Sequence, residues 1–261
     1  MSAEPITVDT RRRERWEESY LRQENFIFEP KDEVIRFLSR YVKKRVGVTA
    51  YRKVLLPANC RDRLRALDYG CGIGSQSLFM AHKLGIDAVG LDLSEAAIQV
   101  ACELRDKLPK LEDYASLEFK TLKEGQCIPF AASEFDVTIC DAVLDSMPFE
   151  LARESMVEMT RVTSKYIFFS VISGHEMGDA TFDKEVTVDH RHEYGTIQSY
   201  FTPEKIDRLI DGLGFSITSL QLQLYQNMRL PHGSSSNNHL LSDDIREHGR
   251  YFVAIERSEK R

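Results

Sequence analysis

No stretch of this 261-residue chain approaches the roughly 20 apolar residues needed to cross a bilayer; the longest run of that kind is Tyr166-Ile-Phe-Phe-Ser-Val-Ile172. The N-terminus has no basic flank followed by an apolar core, so no secretory signal is expected. The five cysteines (Cys60, Cys71, Cys102, Cys127, Cys140) are odd in number and lack any C-x-x-C spacing, which excludes a disulfide framework and a zinc knuckle. Free buried thiols in a reducing cytoplasm are the expectation that follows. Positive charge is not in excess either: a net charge of −6 argues against a dedicated nucleic-acid binder. Hydrophobic residues at 42% and charged residues at 29% leave no room for a disordered tail protein, a collagen-like fibre or a disulfide miniprotein.

At roughly 150 residues per domain, the length allows one large domain or one with an appendage. Charge is uneven, with 16 Lys/Arg against 10 Asp/Glu in residues 1–65 and a balance of −12 in the remainder; a solvated helical face accounts for the basic part, and a patch for an anionic partner is the alternative. Arg11 to Asn25 can form a helix with Trp16 and Tyr20 stacked at i and i+4. After Pro30, with Asp32 as cap, Val34, Phe37, Leu38, Tyr41 and Val42 follow the spacing of a buried helical stripe.

From residue 64 short apolar runs alternate with amphipathic helices. Strands are expected over Leu64–Tyr69, Ala88–Leu91, Leu117–Phe119, Phe135–Cys140, Tyr166–Ile172, Phe215–Tyr225 and Tyr251–Glu256. Helices are expected over Ser75–Leu84, stopped by Gly85, after the cap Ser94, around Ala152, Met156 and Met159, and after Thr202-Pro203, ended by Gly212 and Gly214. This alternation predicts an α/β fold: a doubly wound, mostly parallel seven-stranded sheet with helices on both faces. Residues 173–200 and the loop Leu230–Asn238 lack the rhythm.

The informative segment is Leu67-Asp-Tyr-Gly-Cys-Gly-Ile-Gly-Ser75, where a strand enters, glycines alternate at 70, 72 and 74, and a helix leaves. Glycine is needed where a ligand approaches the backbone too closely for a Cβ, or where φ is positive. Asp92, twenty residues after Gly72 at the end of the second strand, occupies the position that meets a ribose in a βαβ unit. Dinucleotide sites use a glycine turn too, but the third glycine here comes two residues after the second rather than three. Asp68 just before the turn would repel a pyrophosphate and attract the ammonium of an amino-acid moiety, which S-adenosylmethionine offers together with a ribose.

With these residues the chain resembles the class I S-adenosylmethionine-dependent methyltransferases. The matching segments are Leu67–Ser75, Val89-Gly-Leu-Asp-Leu-Ser94, and Cys127-Ile-Pro-Phe130 followed by Phe135-Asp-Val-Thr-Ile-Cys-Asp141, covering residues 64 to 172 well and the rest as topology. The resemblance implies S-adenosylmethionine as cofactor, with Gly70, Cys71, Gly72 and Gly74 under its methionine part and Asp92 with Leu93 at the ribose. It also implies an adenine flank around Glu124, Gly125 and Gln126, and the backbone of Asp141 and Ala142 at the sulfonium. Two points of comparison stand out: family members usually carry an acid at the adenine flank, for which this chain offers Glu124 without a fixed register, and often a proline-glycine turn before the fifth strand, where this chain reads Val162-Thr-Ser-Lys165. Aromatic walls suit a sulfonium cation, so an N-terminal helical lid over residues 1–50, with Trp16 and Tyr20 walling the cofactor, is expected ahead of a binding domain over 51–261; the same aromatic pair reads equally as core.

The segment after the fourth strand, Asp141-Ala-Val-Leu144, lacks the Asp/Asn-Pro-Pro-aromatic pattern of amino-directed DNA methyltransferases, and no Pro-Cys supplies a pyrimidine nucleophile. A small organic acceptor, methylated at oxygen or nitrogen, is therefore expected, with no membrane partner and with a nucleic acid disfavoured. The competing readings are a protein or RNA methyltransferase using the basic N-terminal region, and a non-catalytic nucleotide-fold binding module. Candidate general bases are Asp141, Asp145, His190 and His192. Asp145 reads alternatively as a helix cap ahead of Met147-Pro148, and the histidines as one exposed strand face or a metal pair, for which no further ligands are in view, so no metal is expected. Residues 173–200 run over the strand ends and read as substrate cover, with Arg191, Tyr194 and Gln198 as polar groups to orient an acceptor.

Overall fold

The computed structural model describes residues 10–48, 50–58, 61–109, 115–123, 126–188, 195–226 and 247–258. Helix α1 (Thr10–Leu21) is followed by α2 (Asp32–Phe37), which runs on as a π-helical turn over Leu38–Val42 into a small antiparallel ribbon, β1 (Lys43–Arg45) and β2 (Tyr51–Lys53). The repeating part is β3 (Arg65–Tyr69), α3 (Ser75–Leu84), β4 (Asp87–Asp92), α4 (Glu95–Lys107), β5 (Leu117–Thr121), β6 (Phe135–Asp141), α5 (Phe149–Val162) and β7 (Thr163–Ile172). A second ribbon, β8 (Glu185–Thr187) and β9 (Ile197–Ser199), precedes α6 (Pro203–Ile210), β10 (Phe215–Gln226) and β11 (Glu247–Arg257).

Seven strands form one sheet in the order β10-β11-β7-β6-β3-β4-β5, in which only β11 runs against its neighbours. After β5 the chain crosses back to place β6 beside β3. That reversal opens a crevice at the carboxyl ends of the strands, the position where open α/β sheets bind ligands. Alternation along each strand feeds two cores. Leu67, Val89, Phe169 and Val253 pack with Met156, Met159 and Leu209 of α5 and α6, while Ala66, Ala88, Phe168 and Phe252 pack with Val34 and Phe37 of α2 and Met80 of α3.

Helix caps fall where the sequence places them at Ser94, whose hydroxyl accepts from the Ala97 N–H, and at Thr202, which accepts from Lys205. Gly85 ends α3 with φ +61. Other boundaries differ. The first helix stops at Leu21 rather than reaching Asn25, because Gln23 turns to φ +59. Asp32 is the first residue of α2 rather than its cap; Lys31 is extended, and Asp32 supplies negative charge to the first turn. There is no turn at Val162–Lys165: α5 passes directly into β7, and the Arg257 guanidinium donates to the carbonyls of Thr160 and Thr163, satisfying the helix end that a glycine turn would otherwise close. The arrhythmic segment 173–200 contains a 3-10 turn over Gly174–Met177 and the β8–β9 ribbon. Of the thiols, Cys71 and Cys140 are buried as expected, but Cys102 is half-buried and Cys127 exposed. Cys60 and the loop Leu230–Asn238 lie outside the described residues.

One buried carboxylate fastens the approach to β3. Asp136 at the start of β6 is 1% exposed and accepts from the Ala58 N–H (2.7 Å), the Arg65 N–H (2.8 Å) and Arg61 Nη2 (2.9 Å). Asp136→Ala strands two backbone donors and a cation, and is expected to lower the unfolding free energy by about 3 kcal/mol or more in urea titrations. A loss below about 1 kcal/mol would show these bonds to be replaceable by water.

Candidate functional site

The glycine turn after β3 forms the floor of a cavity of about 350 Å³ at the strand ends. Gly70 (φ +73) and Gly72 (φ +52) both adopt left-handed backbone, and neither has space for a side chain. A Cβ at Gly70 would sit 2.3 Å from Val143 Cγ2, and one at Gly72 would sit 2.6 Å from the Tyr20 hydroxyl. Gly74 lies behind the cavity: there a Cβ would strike the Phe119 ring at 2.6 Å, so this glycine lets α3 pack against β5.

Asp92 ends β4 on the cavity wall. Its Oδ2 accepts the Gly72 N–H (2.8 Å) and its Oδ1 the Ser94 N–H (2.9 Å), so one carboxylate fixes the glycine turn and the start of α4 together. Burial raises its pKa against the pull of those donors. Each oxygen retains a second lone pair for a ligand hydroxyl.

Helix α1 lies over this floor. Glu17 accepts from Ser94 Oγ (2.6 Å) and the Ala96 N–H (3.1 Å), completing the cap of α4, and Arg13 pairs with Glu95 at 2.7 Å. That anchoring sets Arg12, Trp16 and Tyr20 along the cavity. Burial, then the charges of Asp92, Cys71 and Asp68, holds the Tyr20 hydroxyl well above its usual pKa, so it is a neutral donor at physiological pH.

On the opposite wall β6 ends at Asp141. Its carboxylate accepts from Ser170 Oγ (2.5 Å), Lys31 Nζ (3.0 Å) and Gln76 Nε2 (3.3 Å). Ala142 follows with φ +57, a strained conformation for a residue with a Cβ, and its N–H is held by Ser170 Oγ at 3.1 Å. Leu93, Cys71, Tyr69, Asn25 and Arg250 complete the parts of the wall that matter chemically.

Several sequence-selected residues stand elsewhere. Asp68 is 2% exposed and does not line the cavity; its Oδ2 accepts the Ser77 N–H (3.0 Å) and Oγ (2.7 Å) in the first turn of α3. Burial lifts this carboxyl to about 7 despite the two Ser77 bonds. Asp145 is also 2% exposed and off the lining: Oδ2 accepts from the Ile172 N–H (2.8 Å) and Arg250 Nη1 (2.8 Å), and Oδ1 is buried without a hydrogen-bond partner among the described residues. Gln126 is exposed, and Gln198, on β9, accepts from the Tyr200 hydroxyl at 3.1 Å; neither lines the cavity. Gly125, His190, Arg191, His192 and Tyr194 lie outside the described residues. Sequence reasoning missed Lys31, Gln76, Arg12 and Arg250. Gln76 was within reach as the first-turn neighbour of the glycine turn; Lys31 and Arg250 reach their carboxylates across 110 and 105 residues.

A family model described as a methyltransferase domain matches residues 61–211. Among curated proteins, the mitochondrial ubiquinone biosynthesis O-methyltransferase of Saccharomyces cerevisiae is 30% identical over 130 residues, 49% of this chain and 40% of that enzyme. The matches span about half the length of the curated relatives or less. Among solved structures, the 1,6-didemethyltoxoflavin-N1-methyltransferase of Burkholderia thailandensis, with 1,6-didemethyltoxoflavin and S-adenosylhomocysteine bound, is similar over 99% of this chain and 92% of its own, with TM-score 0.65 and 12% identity. An S-adenosylmethionine-dependent methyltransferase of Methanosarcina mazei is similar over 79% of this chain and 99% of its own, with TM-score 0.57 and 19% identity. At these identities the two structures share the fold.

The state of Asp68 gives a pH test. Its folded pKa of about 7 lies above the ordinary value of 3.8. Between those values the unfolded chain has released the proton that the folded protein keeps, so stability falls as pH rises through that window and the loss is complete above the folded pKa. Wild type should lose about 2–4 kcal/mol more than Asp68→Asn between about pH 5 and pH 7.5 in urea unfolding. Parallel profiles for the two proteins would mean that Asp68 is ionised throughout.

Proposed function

The chain belongs to the methyltransferase domain family, the class I S-adenosylmethionine-dependent enzymes, and from that premise we propose that it moves a methyl group to oxygen or nitrogen of a small organic acceptor. The observation that carries this reading is the Asp92 carboxylate on the cavity wall, bonded to the Gly72 N–H and still able to accept from ribose hydroxyls. S-adenosylmethionine supplies a methyl carbon already activated on a sulfonium, so the chain has mainly to orient and enclose.

In this reading the backbone of Gly70, Cys71 and Gly72 lies under the methionine part, and Leu93 with Leu122 gives the apolar walls for the adenine. Trp16, Tyr20 and Tyr69 supply aromatic lining around the cation, a surrounding that favours positive charge. Arg12 supplies positive charge for the amino-acid carboxylate, while Lys31 is held by Asp141. The strained Ala142 turns the backbone after β6 toward the sulfonium. Asp68 contributes from behind, by fixing the first turn of α3, rather than by meeting the ammonium.

A cavity of about 350 Å³, partly covered by α1, supports a small acceptor over a base within a polymer. The names of the yeast and Burkholderia enzymes point the same way. Of the candidate general bases, Asp141 stands on the cavity wall, where Lys31 would steady it, whereas Asp145 serves Arg250. His190 and His192 remain candidates from the segment over the strand ends, with Arg191, Tyr194 and Gln198 as acceptor contacts. A cytoplasmic location fits the reading, and no helix among the described residues is long and apolar enough to cross a membrane.

Asp92→Ala should weaken adenosylhomocysteine binding more than about tenfold in calorimetry while the far-UV spectrum is unchanged. The wild-type protein should release adenosylhomocysteine with at least one member of a panel of small phenols, carboxylic acids and amines. Unaltered affinity in the variant would remove Asp92 from the site, and tight binding without turnover across the panel would favour a binding module.

A further inference from the structure

The strongest charge anomaly lies outside the cavity. Between Glu33 and Asp62 the chain carries eight Lys/Arg and no Asp or Glu. Five of those cations sit on the β1–β2 ribbon, whose register sets Lys43 opposite Lys53 and Lys44 opposite Arg52. Lys43, Arg45 and Lys53 donate to the carbonyls of Leu84, of Gly47 and Val48, and of Asp62, which accounts for those three within the fold; the facing pair Lys44 and Arg52 on the outward side is the arrangement that like-charge repulsion disfavours.

The same ribbon exposes aliphatic side chains. Val46 is 57% exposed, Val48 86%, Val54 44% and Leu56 73%. Strand alternation carries Lys44, Val46, Arg52 and Val54 to the outward face, while Tyr51 and Leu55 turn toward the α2 core. Beneath the ribbon, Lys43, Lys53 and Arg63 line a separate pocket of about 300 Å³, with Asp62 as the one carboxylate among its lining residues. Burial, then the proximity of Lys53 and Arg63, lowers the Lys43 pKa, as expected for a cation crowded by others.

We propose, in revision of the expectation of no membrane partner, that the β1–β2 ribbon docks the protein on an anionic lipid surface, its cations meeting headgroup phosphates while Val46, Val48 and Val54 enter the boundary of the acyl layer. Phosphate attraction explains the cations but not the aliphatic tip, and the two together match an interfacial anchor. RNA fits less well: the ribbon's Tyr51 is engaged with the core and lies under Lys43, so it offers no stacking platform. The −12 balance of the residues beyond 65 disfavours that part of the chain as the contact with the same surface. Because the pocket is lined by residues just before β3 and β4, the ribbon lies at the end of the sheet opposite the cavity, and docking leaves the cavity unobstructed.

The test is co-sedimentation of the full chain with vesicles of phosphatidylcholine, alone or with about one-third phosphatidylglycerol. Binding is expected only with the anionic vesicles and should fall with salt. A Lys44→Glu, Arg52→Glu double variant and a Val46→Ser, Val48→Ser double variant should each reduce partitioning more than about tenfold, with melting temperatures near wild type. Absence of wild-type binding to anionic vesicles would overturn the proposal. So would undiminished vesicle binding by the valine variant together with equal retention of single-stranded RNA, which would mark a general polyanion surface instead.

Discussion

The carboxylate of Asp92 stands between two backbone donors, the N–H groups of Gly72 and Ser94, and the geometry around the cavity depends on it. The turn alternates left-handed glycines at 70, 72 and 74 with Cys71 and Ile73, and its glycines have no side chains to hold it. The pair of charge-assisted bonds from the neighbouring strand supplies that constraint, and places the start of α4 in the same stroke. The crossover that sets β6 beside β3 then brings Asp141 and the strained Ala142 to the opposite wall.

Around that frame the polar groups are arranged in linked pairs rather than as isolated charges. Asp141 joins Lys31, Gln76 and Ser170; Ser170 also holds the Ala142 N–H; Asp145 fixes Arg250. A partly buried charge without a partner is expensive, and such pairing keeps the cations of two distant segments, Lys31 and Arg250, at the same cavity. The ring of Tyr20 closes the other side, seated where only a glycine lets it approach.

The sheet was legible because its signals are local. Ser94, Thr202-Pro203 and Gly85 mark helix ends, and runs such as Phe135–Cys140 are strands buried on both faces. The glycine turn and Asp92 are likewise contiguous or one βαβ unit apart. Asp68 shows where local reading overreached: it shares a face of β3 with Ala66, so alternation directs it at α3 and Ser77 rather than at the cavity. Lys31 and Arg250 left no trace in the sequence because only the tertiary crossing brings them to Asp141 and Asp145. The two ribbons were missed because three-residue strands are too short to show a period.

Glu17 belongs to one helix and finishes the beginning of another, since its carboxylate takes up Ser94 Oγ and the Ala96 N–H. Lifting α1 from the cavity therefore uncovers the first turn of α4, at a cost of about 1 kcal/mol typical of a missing cap. The anchor of α1 and the start of α4 are thus one bond set, so a change that loosens either helix end loosens both.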